Sequence, residues 1–103
     1  MLKWHKNCFV GKNVRDLERI QEKLENRRLV PGIYLLVLSE NPRNIMELFP
    51  AVTLLQRTAA DLCPEIIGIA LGKEEAVSLA EEIIRQVYEE TGDVQVKEYL
   101  KNR

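Results

Sequence analysis

Two short segments of the chain are apolar at every position. They are IYLLVL, residues 33–38, and IIGIAL, residues 66–71. Turn residues bound both segments, and neither is long enough to cross a membrane. Because strands covered by helices on both faces show this pattern, the segments predict two neighbouring parallel strands. Residues 3–10, KWHKNCFV, mix polar and apolar positions and predict an edge strand that partly meets water.

The segments between these strands have the three-to-four-residue apolar spacing of amphipathic helices. The first predicted helix covers residues 13–28, with Asn13 as its N-cap. The second begins at Asn41-Pro42 and runs to about residue 62, and the third covers about residues 73–90. Gly92 is then expected to cap the third helix, and the tail from Asp93 predicts one more short helix.

The order of these elements is β-α-β-α-β-α followed by a short C-terminal helix. Strands that alternate with helices favour a parallel sheet with right-handed crossovers. We therefore expect one α/β domain over residues 1–103, with a three-stranded, mostly parallel sheet in a small three-layer or two-layer sandwich. No linker or low-complexity tract divides the chain.

Composition and charge exclude several classes of partner. The chain has 103 residues, is 46% hydrophobic and 30% charged, and carries a net charge of −1. A balanced charge provides no general field for nucleic acid or an anionic membrane. The local basic groups lack interleaved aromatic residues; they are Arg27, Arg28, Lys97, Lys101 and Arg103. Because the start does not resemble a signal peptide and no long apolar run follows, we expect a cytoplasmic protein that binds neither nucleic acid nor membrane.

Two glycine-lysine pairs are the strongest candidates for a ligand site. Each pair follows an apolar strand and precedes a helix, so a parallel sheet would bring both turns to one edge. Helix N-termini at that edge favour anions. Polar residues after the middle strand would join them, which predicts a site for a small anionic or phosphorylated ligand. The predicted binding residues are Gly11, Lys12, Ser39, Asn41, Arg43, Gly72 and Lys73.

The same turns have a purely structural interpretation. Gly68 lies four positions before Gly72 and Glu74 takes the place of the Ser or Thr, so this is not a Walker phosphate loop. Glycine suits any tight strand-to-helix turn, and a neighbouring lysine is usually a solvated charge. Glu40, Glu74 and Glu75 are expected on the same edge, where they would oppose an anion.

The chain has few groups for nucleophilic or metal chemistry. His5 and Cys8 are close in sequence, but residues three apart on a strand point to opposite faces, which argues against a catalytic dyad. The two side chains could meet only if this segment were helical, and it has no helical apolar stripe. Cys8 and Cys63 form no CxxC pair and are interpreted as ordinary buried thiols. We expect no catalytic residues, no metal site and no cofactor.

The middle predicted helix suggests a contact surface. Met46, Pro50 and Leu54 fall at positions i, i+4 and i+8, outside the core face of that helix. An exposed apolar row of this kind, together with the open edges of a three-stranded sheet, favours a homodimer or a protein partner. In the alternative, Pro50 breaks the helix and the changed phase returns Leu54 to the core.

Two functional hypotheses follow from these patterns. The first is a small non-enzymatic module that acts through homo-oligomerisation or protein–protein interaction. The second is a protein that binds a small anionic ligand, or a minimal enzyme acting on one, at the carboxyl edge of the strands.

Overall fold

The computed structural model describes residues 2–39, 45–93 and 95–101, and these form a small α/β fold with a mixed sheet. The described elements alternate largely as the sequence predicts, apart from one region after the second strand. They are β1 (Trp4–Val10), α1 (Leu17–Glu25), β2 (Ile33–Leu38), β3 (Met46–Pro50), a 3₁₀ helix (Ala51–Leu55), α2 (Arg57–Asp61), β4 (Ile66–Leu71), α3 (Lys73–Thr91) and α4 (Val96–Lys101).

The sheet has four strands in the order β1-β4-β2-β3. β1 and β4 are parallel, whereas β2 is antiparallel to both of its neighbours. The prediction of a three-stranded, mostly parallel sheet is therefore wrong in strand number and in the direction of β2. An apolar run specifies burial on both faces but says nothing about direction, and the short connection from β2 to β3 suits an antiparallel pair.

The expected α/β fold is confirmed, and helices pack against both faces of the sheet. Successive residues of β2 pack on opposite faces of the sheet, as the two-residue period of a strand requires. Leu35 packs in a cluster with Leu24 of α1 and Leu54 of the 3₁₀ helix. Leu36 packs on the other face, in the cluster that α3 and α4 cover.

The region predicted as one helix over residues 41–62 is different in the structure. Residues 41–44 lie outside the described part of the chain. Residues 46–50 form strand β3, and Pro50 is its last residue, where the missing N–H costs least. The 3₁₀ helix that follows buries Ala51 and Leu54 and exposes Val52, in agreement with its three-residue period.

The other helices follow the sequence more closely. α1 begins at Leu17, later than predicted, because Asp16 caps it by accepting a hydrogen bond from Arg19 N. α3 ends at Gly92, whose φ of 74° gives the expected left-handed cap. α4 buries Val96 and Leu100. Among the described residues, no helix is both long enough and apolar enough to span a membrane.

Candidate functional site

The turns at Gly11 and Gly72 lie at the same edge of the sheet. They follow β1 and β4, which are parallel and adjacent, so their carboxyl ends point the same way. Gly11 N donates a hydrogen bond to Ile69 O at 2.8 Å, and Gly72 N donates to Gly32 O at 2.6 Å. Gly72 has a φ of 88°, a conformation that strains residues with a side chain.

The carboxylate of Glu75 connects these two turns. Its Oε1 accepts a hydrogen bond from Asn13 N at 2.9 Å, and its Oε2 accepts one from Leu71 N at 2.6 Å. Glu75 is the third residue of α3, where a carboxylate complements the positive end of the helix dipole. Two backbone donors at this edge, Asn13 N and Leu71 N, are thus engaged by the protein's own carboxylate.

A cavity of about 430 Å³ opens beside the Gly11 turn. Three carboxylates line it, from Glu74, Glu75 and Glu82, against the single cation of Lys12. This balance opposes an anionic ligand. Binding at Gly11, Lys12, Gly72 and Lys73 stays a prediction, and the charges on this side do not favour it.

The remaining predicted ligand residues do not join this edge. Ser39 follows β2, and because β2 runs antiparallel to β4, its carboxyl end lies at the opposite edge of the sheet. The expected convergence of Ser39 with the glycine-lysine turns is therefore wrong. Asn41 and Arg43 lie outside the described residues.

A second cavity, of about 340 Å³, lies at that opposite end of the sheet. Lys6 of β1 and Lys97 and Lys101 of α4 contribute its cations, and Leu38 contributes apolar surface. The other lining residues are His5, Glu65 and Leu100. The sequence pattern did not predict that these lysines lie around one cavity, because Lys6 and Lys97 are far apart along the chain. The basic tail was the only signal for them in the sequence.

His5 forms the buried connection between the two elements of this cavity. Its ring is 8% exposed, and Nδ1 accepts a hydrogen bond from Asn7 N at 3.0 Å. The other ring nitrogen, Nε2, is therefore the protonated one, and it donates to Leu100 O at 2.9 Å. His5 thus joins β1 to the C-terminal end of α4.

Both thiols lie close to backbone carbonyl oxygens. Cys8 is half-buried and its Sγ donates to Ile66 O at 3.3 Å. Cys63 is 5% exposed, and burial raises the pKa of its thiol while Lys3 lowers it by a smaller amount. A raised pKa makes Cys63 a poor nucleophile at neutral pH. Within the described part of the chain, no group of three His, Cys, Asp or Glu residues could hold a metal ion.

The predicted row of Met46, Pro50 and Leu54 does not form a surface. Met46 and Pro50 lie in strand β3, and Leu54 is only 2% exposed. Their predicted alignment required a continuous helix, which β3 replaces. The alternative, in which Pro50 ends the regular element and Leu54 returns to the core, describes the position of Leu54 correctly.

Comparison of the chain with protein-family models, with curated proteins and with solved structures gave no match.

Proposed function

We propose that this protein is a non-catalytic cytoplasmic module that acts through protein–protein interaction, by pairing of two copies along β3. The observation that carries the proposal is the position of β3 at the end of the sheet, where β2 is its only hydrogen-bonded neighbour among the described strands. An edge strand presents backbone donors and acceptors to any strand that approaches it. Two copies that pair along β3 would form one continuous eight-stranded sheet.

The opposite edge, β1, is much less suited to pairing. Trp4 lies opposite Ile66 and Phe9 lies opposite Gly68, so residues 5–8 face a single residue of β4. This bulge interrupts the regular spacing of backbone groups. In addition, Asn7 N bonds to the His5 ring, which removes a donor from the edge. Irregularities of this kind are how proteins protect an edge strand.

β3 has the apolar composition of a contact strand. Its five residues are MELFP, and Glu47 is the only charged one. Met46, Leu48 and Phe49 are each half-buried within one copy, and Ile45 just before the strand is 37% exposed. Pairing with a second strand would bury more of this apolar surface, which is the main favourable term in association.

A two-fold axis through Leu48 gives a pairing that avoids like charges. In an antiparallel pair centred on Leu48, the Leu48 side chains of both copies are neighbours, and Glu47 lies opposite Phe49 of the second copy. The two Glu47 side chains are then not directly opposed, a position in which they would repel. Homo-oligomers with such self-complementary interfaces are the commonest kind.

The oligomeric state in solution tests this proposal. Sedimentation velocity at concentrations of tens of micromolar is expected to show a dimer. Ile45→Lys is expected to weaken it at least about tenfold, because a charge would be buried at the new interface. Val77→Lys is the matched control, since Val77 lies on α3 and is 39% exposed. A folded wild-type monomer, or a dimer that Val77→Lys weakens and Ile45→Lys does not, would overturn the proposal.

A further inference from the structure

The second cavity, at the opposite end of the sheet from the Gly11 and Gly72 turns, is formed by backbone segments that hydrogen bonds hold together. Two elements far apart in the chain meet there, because His5 Nε2 donates to Leu100 O at 2.9 Å across 95 positions of sequence. The start of β4 is fixed on the same side, since Leu38 N donates to the backbone oxygen of Glu65 at 3.1 Å. The lysines of this cavity therefore extend from anchored segments of backbone.

The charge of this cavity is positive although the whole chain is slightly negative. Lys6, Lys97 and Lys101 face one carboxylate, Glu65, which leaves a local excess of two positive charges. Among residues 2–39, 45–93 and 95–101, neither Lys6 nor Lys97 forms an ion pair. Lys101 pairs with Glu98 at 3.8 Å, but both side chains are more than half exposed, so this pair is weak.

The rest of the cavity lining is His5, Leu38 and Leu100, of which Leu38 is the half-buried apolar residue. The volume of about 340 Å³ is within the range of small-molecule sites. A ligand that fits both features carries its charge at one end and an apolar group at the other. A phosphate monoester has a charge of about −1.5 to −2 at neutral pH, which matches the local excess of positive charge.

We propose that this cavity binds the phosphate monoester of a small apolar or aromatic group. Lys6 and Lys97 hold the phosphate, and Leu38 contacts the apolar group. This site is independent of pairing along β3, and it lies at the other end of the sheet from the Gly11 and Gly72 turns.

Phenyl phosphate is a suitable probe, with inorganic phosphate and phenol as comparisons. In ¹⁵N NMR titrations of the full chain, phenyl phosphate is expected to shift the amides of residues 5–8, 65 and 97–101 saturably. Its affinity should exceed that of either comparison compound by at least about tenfold, because only phenyl phosphate uses both parts of the site.

Two double variants, each of which removes two lysine charges, distinguish binding at this cavity from nonspecific attraction of the phosphate to surface lysines. Lys6→Ala/Lys97→Ala is expected to reduce the affinity for phenyl phosphate by about tenfold or more. Lys12→Ala/Lys73→Ala, at the opposite edge, is expected to leave it unchanged. Equal losses in both variants, equal affinity for inorganic phosphate, or shifts confined to residues 11–13 and 72–74 would each overturn the proposal. A well-dispersed spectrum verifies that each variant is folded.

Discussion

The carboxylate of Glu75 lies directly against the α-carbon of Gly11. A Cβ atom at position 11 would be 2.7 Å from Cδ of Glu75 and would overlap its Oε2. Real Cβ atoms do not approach other atoms this closely, so a side chain at residue 11 requires the Glu75 side chain to move from this position. Gly11 therefore allows the carboxylate to reach Asn13 N and Leu71 N.

Gly11→Ala is expected to destabilise the protein by about 0.5–2 kcal/mol, because the hydrogen bonds of the Glu75 carboxylate are weakened or lost. The methyl group would push the Glu75 carboxylate away from its two backbone donors. Urea denaturation of the variant and of wild type measures the difference in free energy of unfolding.

A double-mutant cycle tests whether the contact with Glu75 causes the loss of stability in Gly11→Ala. In a Glu75→Ala background the methyl group meets no carboxylate, so Gly11→Ala should cost at least about 0.5 kcal/mol less there than in wild type. Equal costs in both backgrounds would mean that the contact with Glu75 is not what requires glycine.

His5→Phe is expected to cost about 1–3 kcal/mol, because it removes the two hydrogen bonds that the ring makes with the backbone and leaves the buried oxygen of Leu100 without this donor. The loss should appear first as faster hydrogen exchange of the amides in α4. Lys97→Ala, an exposed change on the same helix, serves as the control and is expected to alter stability by less than about 0.5 kcal/mol. Unchanged exchange in the His5 variant would contradict the anchoring role of the ring.

The buried thiol of Cys63 is expected to make the protein less stable at alkaline pH. Burial raises its pKa in the folded state, whereas in the unfolded chain the thiol ionises near its ordinary pKa of about 8.5. Above that pH the unfolded state binds fewer protons than the folded state, so the free energy of unfolding falls as pH rises. The stabilising contribution is complete below the ordinary pKa and is lost as pH rises through the folded pKa.

Denaturation of wild type and Cys63→Ala at several values between about pH 7 and pH 10 measures this effect. The stability advantage of wild type should shrink with rising pH, by about 1.4 kcal/mol for each unit of pKa shift. Cys8→Ala supplies the control for removal of a thiol elsewhere. If the difference in free energy of unfolding between wild type and Cys63→Ala stayed constant across this pH range, the prediction would be wrong.

Leu54 and Val52 form a matched pair within the 3₁₀ helix. Leu54 is 2% exposed and Val52 is 48% exposed, although they are two residues apart. Leu54→Ala is expected to cost about 2–5 kcal/mol because it leaves a cavity in the core. Val52→Ala should cost less than about 0.5 kcal/mol, since its side chain is largely solvated. Urea denaturation measures the free energy of unfolding of each variant. Similar losses in the two variants would contradict the difference in burial between Leu54 and Val52.

The sequence predicted the elements best where a single local signal was strong. The apolar runs gave β2 and β4 to within one residue, and the helix periodicity with Gly92 gave α3. Residues 46–50 were assigned to a helix because their apolar spacing suits a helix as well as a strand. Pairing with β2 decided in favour of a strand, and such tertiary contacts override local preference in short segments.

The candidate sites could be predicted only in part. The sequence placed the Gly11 and Gly72 turns on one edge and noticed that Glu75 would oppose an anion there, but it could not show that Glu75 bonds to both turns. Lys6 and Lys97 belong to segments at the two ends of the chain. Their proximity depends on the docking of α4 against β1, which no local pattern encodes.

The sequence by itself determined the two strands that are buried on both faces, because their apolar runs are uninterrupted. It thereby determined an α/β sandwich with two buried strands, but it did not determine burial over residues 46–62, where Leu54 was assigned outside the core and is 2% exposed. Tertiary structure alone decided the direction of β2, the edge position of β3 and which residues meet at each end of the sheet. The physical reason is that burial depends on the side chains of one segment, whereas direction and neighbours depend on hydrogen bonds between segments that can form in more than one way.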